Sequence, residues 1–307
     1  MIKHRKPIQY GVDPAVYHST KQKRGDADFV MSKSELVAFA KNPQKWVMGH
    51  REEQTDAMDW GSLIDCLVLT PELFDSRYAI TPETYTDEKM NVKPWNWNAN
   101  YCKTWREQEK VDGRECVKPN VASEAQLAKS RLQKDEHVDR IMHGAKTQAF
   151  VSATYVDDDT GIEVPLQGLV DIVPNGDGTY GNCLADLKTC DDASVRAWER
   201  TVLNYTYHVQ AALYLDMFEA TTGEKREGFA HVIQESSPPY AVARRILSED
   251  FVSIGRDTYR AALRLYCRCL AENRWPGYDD ESGNGGVIID GFRVVNPPAY
   301  IYKTNDL

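Results

Sequence analysis

Three short apolar runs, each separated from the next by turn residues, constrain this chain most: AFVSATYV at residues 149–156, VPLQGLVDIVP at 164–174 and CLADLKT at 183–189. Runs of this length, rich in β-branched and aromatic residues, read as strands rather than helices. Asp157-Asp158-Asp159-Thr160-Gly161 separates the first two, and the Gly-rich stretch 174–182 separates the second and third. Both are turn chemistry. The pattern predicts an antiparallel meander, extended by a hairpin (GFAHVIQ and YAVARRIL around Ser236-Ser237-Pro238-Pro239) and by a C-terminal strand in GVIIDGFRVV.

Two of these strands carry a carboxylate where an apolar residue is expected, at Asp171 and Asp186. A buried carboxylate is costly unless it is paired or bound to a metal. Residues 186 and 188 are two apart in a strand, so Asp186 and Lys188 share a face. Folding 164–189 as a hairpin brings Asp171 opposite about Ala185, a register open by one residue in either direction. Two acids and a lysine then converge at one end of a sheet. Hard oxygen ligands of this kind suit Mg²⁺, with Mn²⁺ as a substitute, rather than zinc. A bound ion there can supply a nucleophilic hydroxide and offset charge on an attacked phosphate. The lysine can orient the water or stabilise the transition state. Asp-x-Lys alone is a weak signal, equally compatible with a surface ion pair. The next helix adds Gln210 and Tyr214, four apart on one face; they fit a buried structural pair or two polar tips beside the metal.

Ahead of the strands, a helix is expected after Ser32 or Ser34, stopping near Asn42-Pro43, with Leu36, Phe39 and Ala40 inward. A second runs through residues 58–69, and an amphipathic third spans 123–143. Residues 81–122, with Trp95, Trp97, Tyr101 and Trp105, read as a loop-rich insertion packed by its own aromatics. After the strands, Asp191 or Asp192 is expected to cap a helical stretch over 193–219, broken near Asn204-Tyr205. A long helix follows Ser248.

Residues 1–30 are polar and basic and read as a flexible lead-in; a phosphate-contacting arm is the alternative for Lys3, Arg5, Lys6, Lys21, Lys23 and Arg24. The rest, 31–307, is expected to form one α/β domain, mainly helical over 31–148 and strand-based over 149–307. A net charge of −9 argues against a protein that coats DNA by bulk electrostatics, but not against an enzyme whose carboxylates hold a metal. The 7 cysteines are scattered and odd in number, as expected of reduced thiols in a cytoplasmic protein, and no apolar run is long enough to cross a membrane. No Ser–His–Asp or Cys–His arrangement can be placed; the 7 histidines are scattered, and His208, two residues before Gln210 on a helix, is expected to be structural.

The order Asp171, Asp186-Leu187-Lys188-Thr189, Gln210-x-x-x-Tyr214 resembles the RecB-type branch of the PD-(D/E)XK nucleases, and within it the exonuclease VIII group. Softer motifs keep the same order: Tyr17-His18, Ser32-Lys33-Ser34, Asn42-Pro43, Trp60-Gly61-Ser62, Asp159-Thr160-Gly161, Pro238-Pro239-Tyr240 and Trp275-Pro276-Gly277-Tyr278. The similarity runs from about residue 14 to 280. It implies a restriction-endonuclease-like α/β core, with a central mixed β-sheet flanked by helices and an α-helical N-terminal part. It further implies Asp171, Asp186 and the Leu187 carbonyl as metal ligands, Lys188 as catalytic lysine, and Gln210 and Tyr214 in support. The implied activity is 5′-to-3′ degradation of linear double-stranded DNA from its ends, leaving 3′ single strands for recombination. A homo-oligomer, a single-strand annealing partner and a phage origin belong to the same expectation. Two positions depart from the family. Asp65 stands where histidine is usual and is a candidate ligand; no acid sits near Phe150. These departures leave open a weakened nuclease-fold accessory module, or a nuclease of single strands or flaps.

Overall fold

The apolar runs of the meander become adjacent strands because each can bury one face only against helices and hydrogen-bond its edges only to a neighbour. The computed structural model of the protein describes residues 1–18, 22–51, 55–278, 288–289 and 292–293. The chain opens with strand β1 (Ile2–Gln9) and a short helix α1 (Pro14–His18). Ser32 accepts a hydrogen bond from the Glu35 amide and starts α2 (Lys33–Lys41). Asn42 ends α2 and caps α3 (Pro43–Val47), with Pro43 in the first turn where no amide donor is needed. Thr55 caps α4 (Asp56–Leu69), and α5 (Phe74–Arg77) follows. Short strands β2 (Tyr78–Ile80), β3 (Thr84–Thr86) and β4 (Val92–Pro94) lead to α6 (Asn100–Val111), β5 (Glu115–Val117), α7 (Pro119–Gln133) and α8 (Glu136–Met142).

The meander forms β6 (Lys146–Val156), β7 (Glu163–Val173) and β8 (Cys183–Cys190). Helices α9 (Val195–Asn204) and α10 (Tyr207–Thr222) cross over to β9 (Gly228–Glu235), which runs parallel to β8. A parallel neighbour requires such a crossover. Strand β10 (Val242–Ile246) and helix α11 (Glu249–Glu272) follow, then two-residue strands β11 (Ile288–Ile289) and β12 (Phe292–Arg293). The main sheet has the order β1-β6-β7-β8-β9-β10 and is antiparallel except at β8/β9. It is therefore the mixed central sheet flanked by helices that the sequence implies.

Two apolar layers cover it. One joins Leu36, Phe39 and Trp46 to Leu213, Phe218, Tyr259 and Leu263, so α2, α3, α10 and α11 share a face. In this layer the Phe39 ring meets Trp46, Tyr266 and Trp275 edge-on at 5.5, 5.3 and 6.2 Å. Each such pair contributes about 0.5–1.5 kcal/mol beyond its burial. The other layer joins Leu63, Ile64 and Leu67 of α4 and Ala125, Leu132 and Ile141 of α7 and α8 to Ile172, Ala185 and Leu187.

Five expectations are corrected. The N-terminal segment is not simply a flexible lead-in: residues 2–9 are an edge strand on β6, with Ile2 opposite Tyr155. The 81–122 insertion contains a twelve-residue helix, α6, although Trp95 does pack against Trp97 and Trp105. The helix expected over 123–143 begins at Pro119 and breaks after Gln133, where Asp135 accepts from the His137 and Val138 amides and starts α8. Ser194, not Asp191 or Asp192, caps α9; Asp192 instead accepts from the Ser194 amide. The expected C-terminal strand is a pair of two-residue strands where it is described, and the rest of it lies outside the described residues. Among the described residues no helix is long and apolar enough to cross a membrane.

Candidate active site

The site arises where β7 and β8 part company. Their one ladder pair is Ile172 with Ala185, which sets Asp171 across from Asp186, one residue from the expected register. Beyond that pair β7 turns its edge to Met31, whose amide donates to the Pro165 carbonyl at 2.8 Å. The freed Leu187 amide is satisfied by a side chain: it donates to Asp171 Oδ2 at 3.1 Å. On the other flank of β7, Gln148 faces Asp171 with a φ of 47°, in the left-handed region. A conformation of that kind costs about 1–3 kcal/mol and is characteristic of functional sites.

Asp186 and Lys188 share a face of β8, as their spacing requires. Lys188 Nζ forms an ion pair with Asp186 Oδ2, lies 4.0 Å from Asp171 Oδ2 and donates to its neighbour's carbonyl, Leu187 O, at 3.2 Å. Asp186 is 1% exposed. Its Oδ1 accepts from Gln210 Nε2 at 2.8 Å, while its Oδ2 makes no hydrogen bond and is met by the Lys188 charge alone. Gln210 reaches it because α10 starts at Thr206 in the left-handed region and aims its first turns at β8. Tyr214, one turn on, lies behind the carboxylates. Its ring packs on Gly168, where a β-carbon would come within 2.9 Å of it, and its hydroxyl bonds to the Leu169 backbone.

The charges are strongly interdependent. Burial pushes the Asp171 carboxyl well above the usual carboxylate range, and the Asp186 charge adds to the push. Burial likewise raises Asp65 to about 7, with Lys188 opposing and Asp186 reinforcing the shift, so α4 brings Asp65 into the same electrostatic environment. Burial alone would lower Lys188, but Asp186 and Asp171 more than offset it and hold the ammonium above the ordinary lysine value.

Three side chains here were not picked out as functional from sequence. Lys33 and Lys188 each place their ammonium 5.5 Å from the Tyr207 ring, and Lys33 is anchored by the Tyr205 carbonyl at 2.8 Å. Lys33 was visible only within its Ser-Lys-Ser motif, and Tyr207 only as an aromatic at a helix start. His231 lies beside Asp186 in the β8/β9 ladder, fully buried among Trp198, Tyr207 and Phe229, and its ring nitrogens make no hydrogen bond. His208 is structural as expected, bonded to the Val202 carbonyl. Phe150 packs against Tyr17, and the cysteines are free thiols.

The donor set fits a hard divalent ion. Among the described residues no three His, Cys, Asp or Glu side chains form a ready metal cage. Mg²⁺, however, is commonly held by one or two carboxylates with water completing its shell. Asp171, Asp186 with its unbonded Oδ2, and the Leu187 carbonyl would hold it, with Asp65 behind them.

Residues 29–284 match the family described as a PDDEXK-like domain of unknown function (DUF3799). No curated protein matches the chain. Among solved structures the fold is similar to that of a candidate exonuclease from Eubacterium rectale, at 13% identity and a TM-score of 0.56, over 97% of this chain and 99% of that one. Likeness to SSO0001 (11% identity, 75% and 82% covered) and to Rai1 of Scheffersomyces stipitis (12%, 86% and 74%) is weak, at TM-scores of 0.27 and 0.26, and carries no argument. A family match over well over half the sequence coincides with strands that bring the two acids and the lysine together, and the chain therefore belongs to the PDDEXK-like family and has the PD-(D/E)XK nuclease fold.

Proposed function

We propose that this protein is a magnesium-dependent exodeoxyribonuclease, with manganese able to substitute, that degrades linear double-stranded DNA from its ends, 5′ to 3′. The observation that carries this is the meeting of Asp171, Asp186 and Lys188 within one ion-paired cluster, with Gln210 bonded to it. An ion held by Asp171, Asp186 and the Leu187 carbonyl would supply a nucleophilic hydroxide and charge neutralisation at the phosphate. Lys188, paired with both acids, can orient the attacking water or stabilise charge on the attacked phosphate. Gln210 holds Asp186 in place, and Gly168 lets Tyr214 close the site from behind. A homo-oligomer and a single-strand annealing protein are the partners proposed with this activity, the 3′ single strand being the product handed on.

The test is digestion of linear, nicked, circular and single-stranded DNA with magnesium, by the wild type and by Lys188→Ala. Loss of about 100-fold or more in rate in the variant, with linear duplex preferred, supports the proposal. Preference for circular or single-stranded DNA overturns the exonuclease assignment. Equal inactivity of both proteins favours a nuclease-fold binding module, a reading motivated by the aspartate at position 65 and by the lack of an acid near Phe150.

A further inference from the structure

A groove of about 350 Å³ lies between β1, α1 and the sheet, and the catalytic cluster does not use it. Its lining is unusual for a chain of net charge −9: Arg5 and Lys6 from β1, Gln9, Gln22 and Gln167, and the rings of Tyr17 and Phe150, with no carboxylate among the described lining residues. Arg5 and Lys6 are solvent-exposed on a strand whose backbone is fixed to β6, so their charges are held at the groove rather than on a loose tail. Two cations, uncharged amides and two rings together match the phosphates, base edges and base faces of a nucleic-acid strand. The volume is that of a small-ligand pocket, which takes nucleotides of one strand and not a duplex.

The groove adjoins the active site. Gln167 and Asp171 lie on the same strand, about 13 Å apart at strand rise. Tyr17 spans the two: its ring centroid is 6.2 Å from that of Phe150 in the groove, and its hydroxyl donates to the Gln167 carbonyl at 3.5 Å, next to Gly168, on which the Tyr214 ring packs.

We propose that this groove is a binding track for one DNA single strand, running along β1 to the catalytic cluster, with Arg5 and Lys6 on phosphates and Phe150 offering a face to a base. This rests on the nuclease reading of the cluster for its biological sense, but its test does not require cleavage. Fluorescence anisotropy of labelled oligo-dT with the full chain in EDTA measures binding alone. Arg5→Ala/Lys6→Ala is expected to raise Kd about tenfold and to lower the salt slope by about 1.4, about 0.7 for each phosphate that is no longer neutralised. Phe150→Leu is expected to weaken binding about fivefold or more with little change in salt slope. Thermal melting followed by circular dichroism confirms that each variant is folded; an unfolded Phe150→Leu leaves the decision to the exposed pair.

Unchanged Kd and salt slope in the Arg5/Lys6 variant, or no binding by the wild type, overturns the track. Failure of the two readings is distinguishable. Lys188-dependent cleavage with Arg5- and Lys6-independent binding removes the track and keeps the nuclease. Arg5- and Lys6-dependent binding by a protein that cleaves nothing does the reverse.

Discussion

Asp186 is the residue around which the charges are arranged: its two oxygens are divided between Gln210 and Lys188, and three more ionisable groups, Asp171, Asp65 and Lys33, sit within its influence. Lys33 is the informative one, because it is not needed to neutralise Asp186 once Lys188 is paired. Its ammonium can therefore meet substrate phosphate beside Tyr207. Burial lowers it to about 8, with the Lys188 charge pushing the same way. The sign follows directly: below that value Lys33 is charged and, under the proposed function, would grip phosphate; above it the grip would be lost. The KM for DNA of the wild type should therefore rise as pH passes about 8. Lys33→Arg keeps its charge and should show no such rise, while Lys33→Met should have a KM raised about tenfold at all pH values, with kcat changed less. A pH profile of KM that is the same for wild type and Lys33→Arg counts against the role.

At the scale of the element, α10 is held at its start by an unusually close approach to α11. A β-carbon on Gly255 would lie 2.0 Å from the His208 carbonyl oxygen, two residues before Gln210. Elsewhere in a helix, Gly→Ala stabilises by about 1 kcal/mol. Here the clash is with backbone, which cannot rotate aside, and overpacking costs about 1–3 kcal/mol or more. Gly255→Ala should therefore lower the urea midpoint and reduce cleavage by displacing Gln210; a raised midpoint would show that the helices separate freely. Such close approaches are not visible in sequence, where Gly255 is merely an interruption in a helical pattern. What was visible was local. Caps at Ser32 and Ser248, the helix stop at Asn42-Pro43, the break near Asn204, and the strands bearing Asp171 and Asp186 each announce themselves within a few residues. Strand β1 does not, because most of its residues are exposed, with no apolar alternation, and its partner β6 lies far along the chain. Helix α6 buries only Cys102 and Glu109, too few to mark a face. Lys33 enters the site through Tyr205, 172 residues away, and His231 through a parallel register that only the crossover sets.

At the scale of the whole molecule, the acids come from distant parts of the chain: Asp65 from the helical first part, Asp171 and Asp186 from the sheet. Folding brings these like charges together, and the native chain responds by holding the Asp171 proton to higher pH than the unfolded chain does. Native binding of more protons means that metal-free stability falls as pH rises above the ordinary carboxylate range. A divalent ion reverses that balance, since it binds the assembled acids and not the dispersed ones. At 100 times its Kd it should stabilise the fold by about 2.7 kcal/mol. Asp171→Asn separates the two effects. The amide oxygen can still accept from the Leu187 amide but carries no charge, so in EDTA at neutral pH the variant should be more stable than the wild type. With magnesium the order should invert, because the variant has lost a ligand and gains little from the ion. Urea unfolding of both proteins, with EDTA and with magnesium, gives four midpoints. If magnesium does not move the wild-type midpoint, or moves that of the variant as far, Asp171 is not part of a metal site and the acids are gathered for some other purpose.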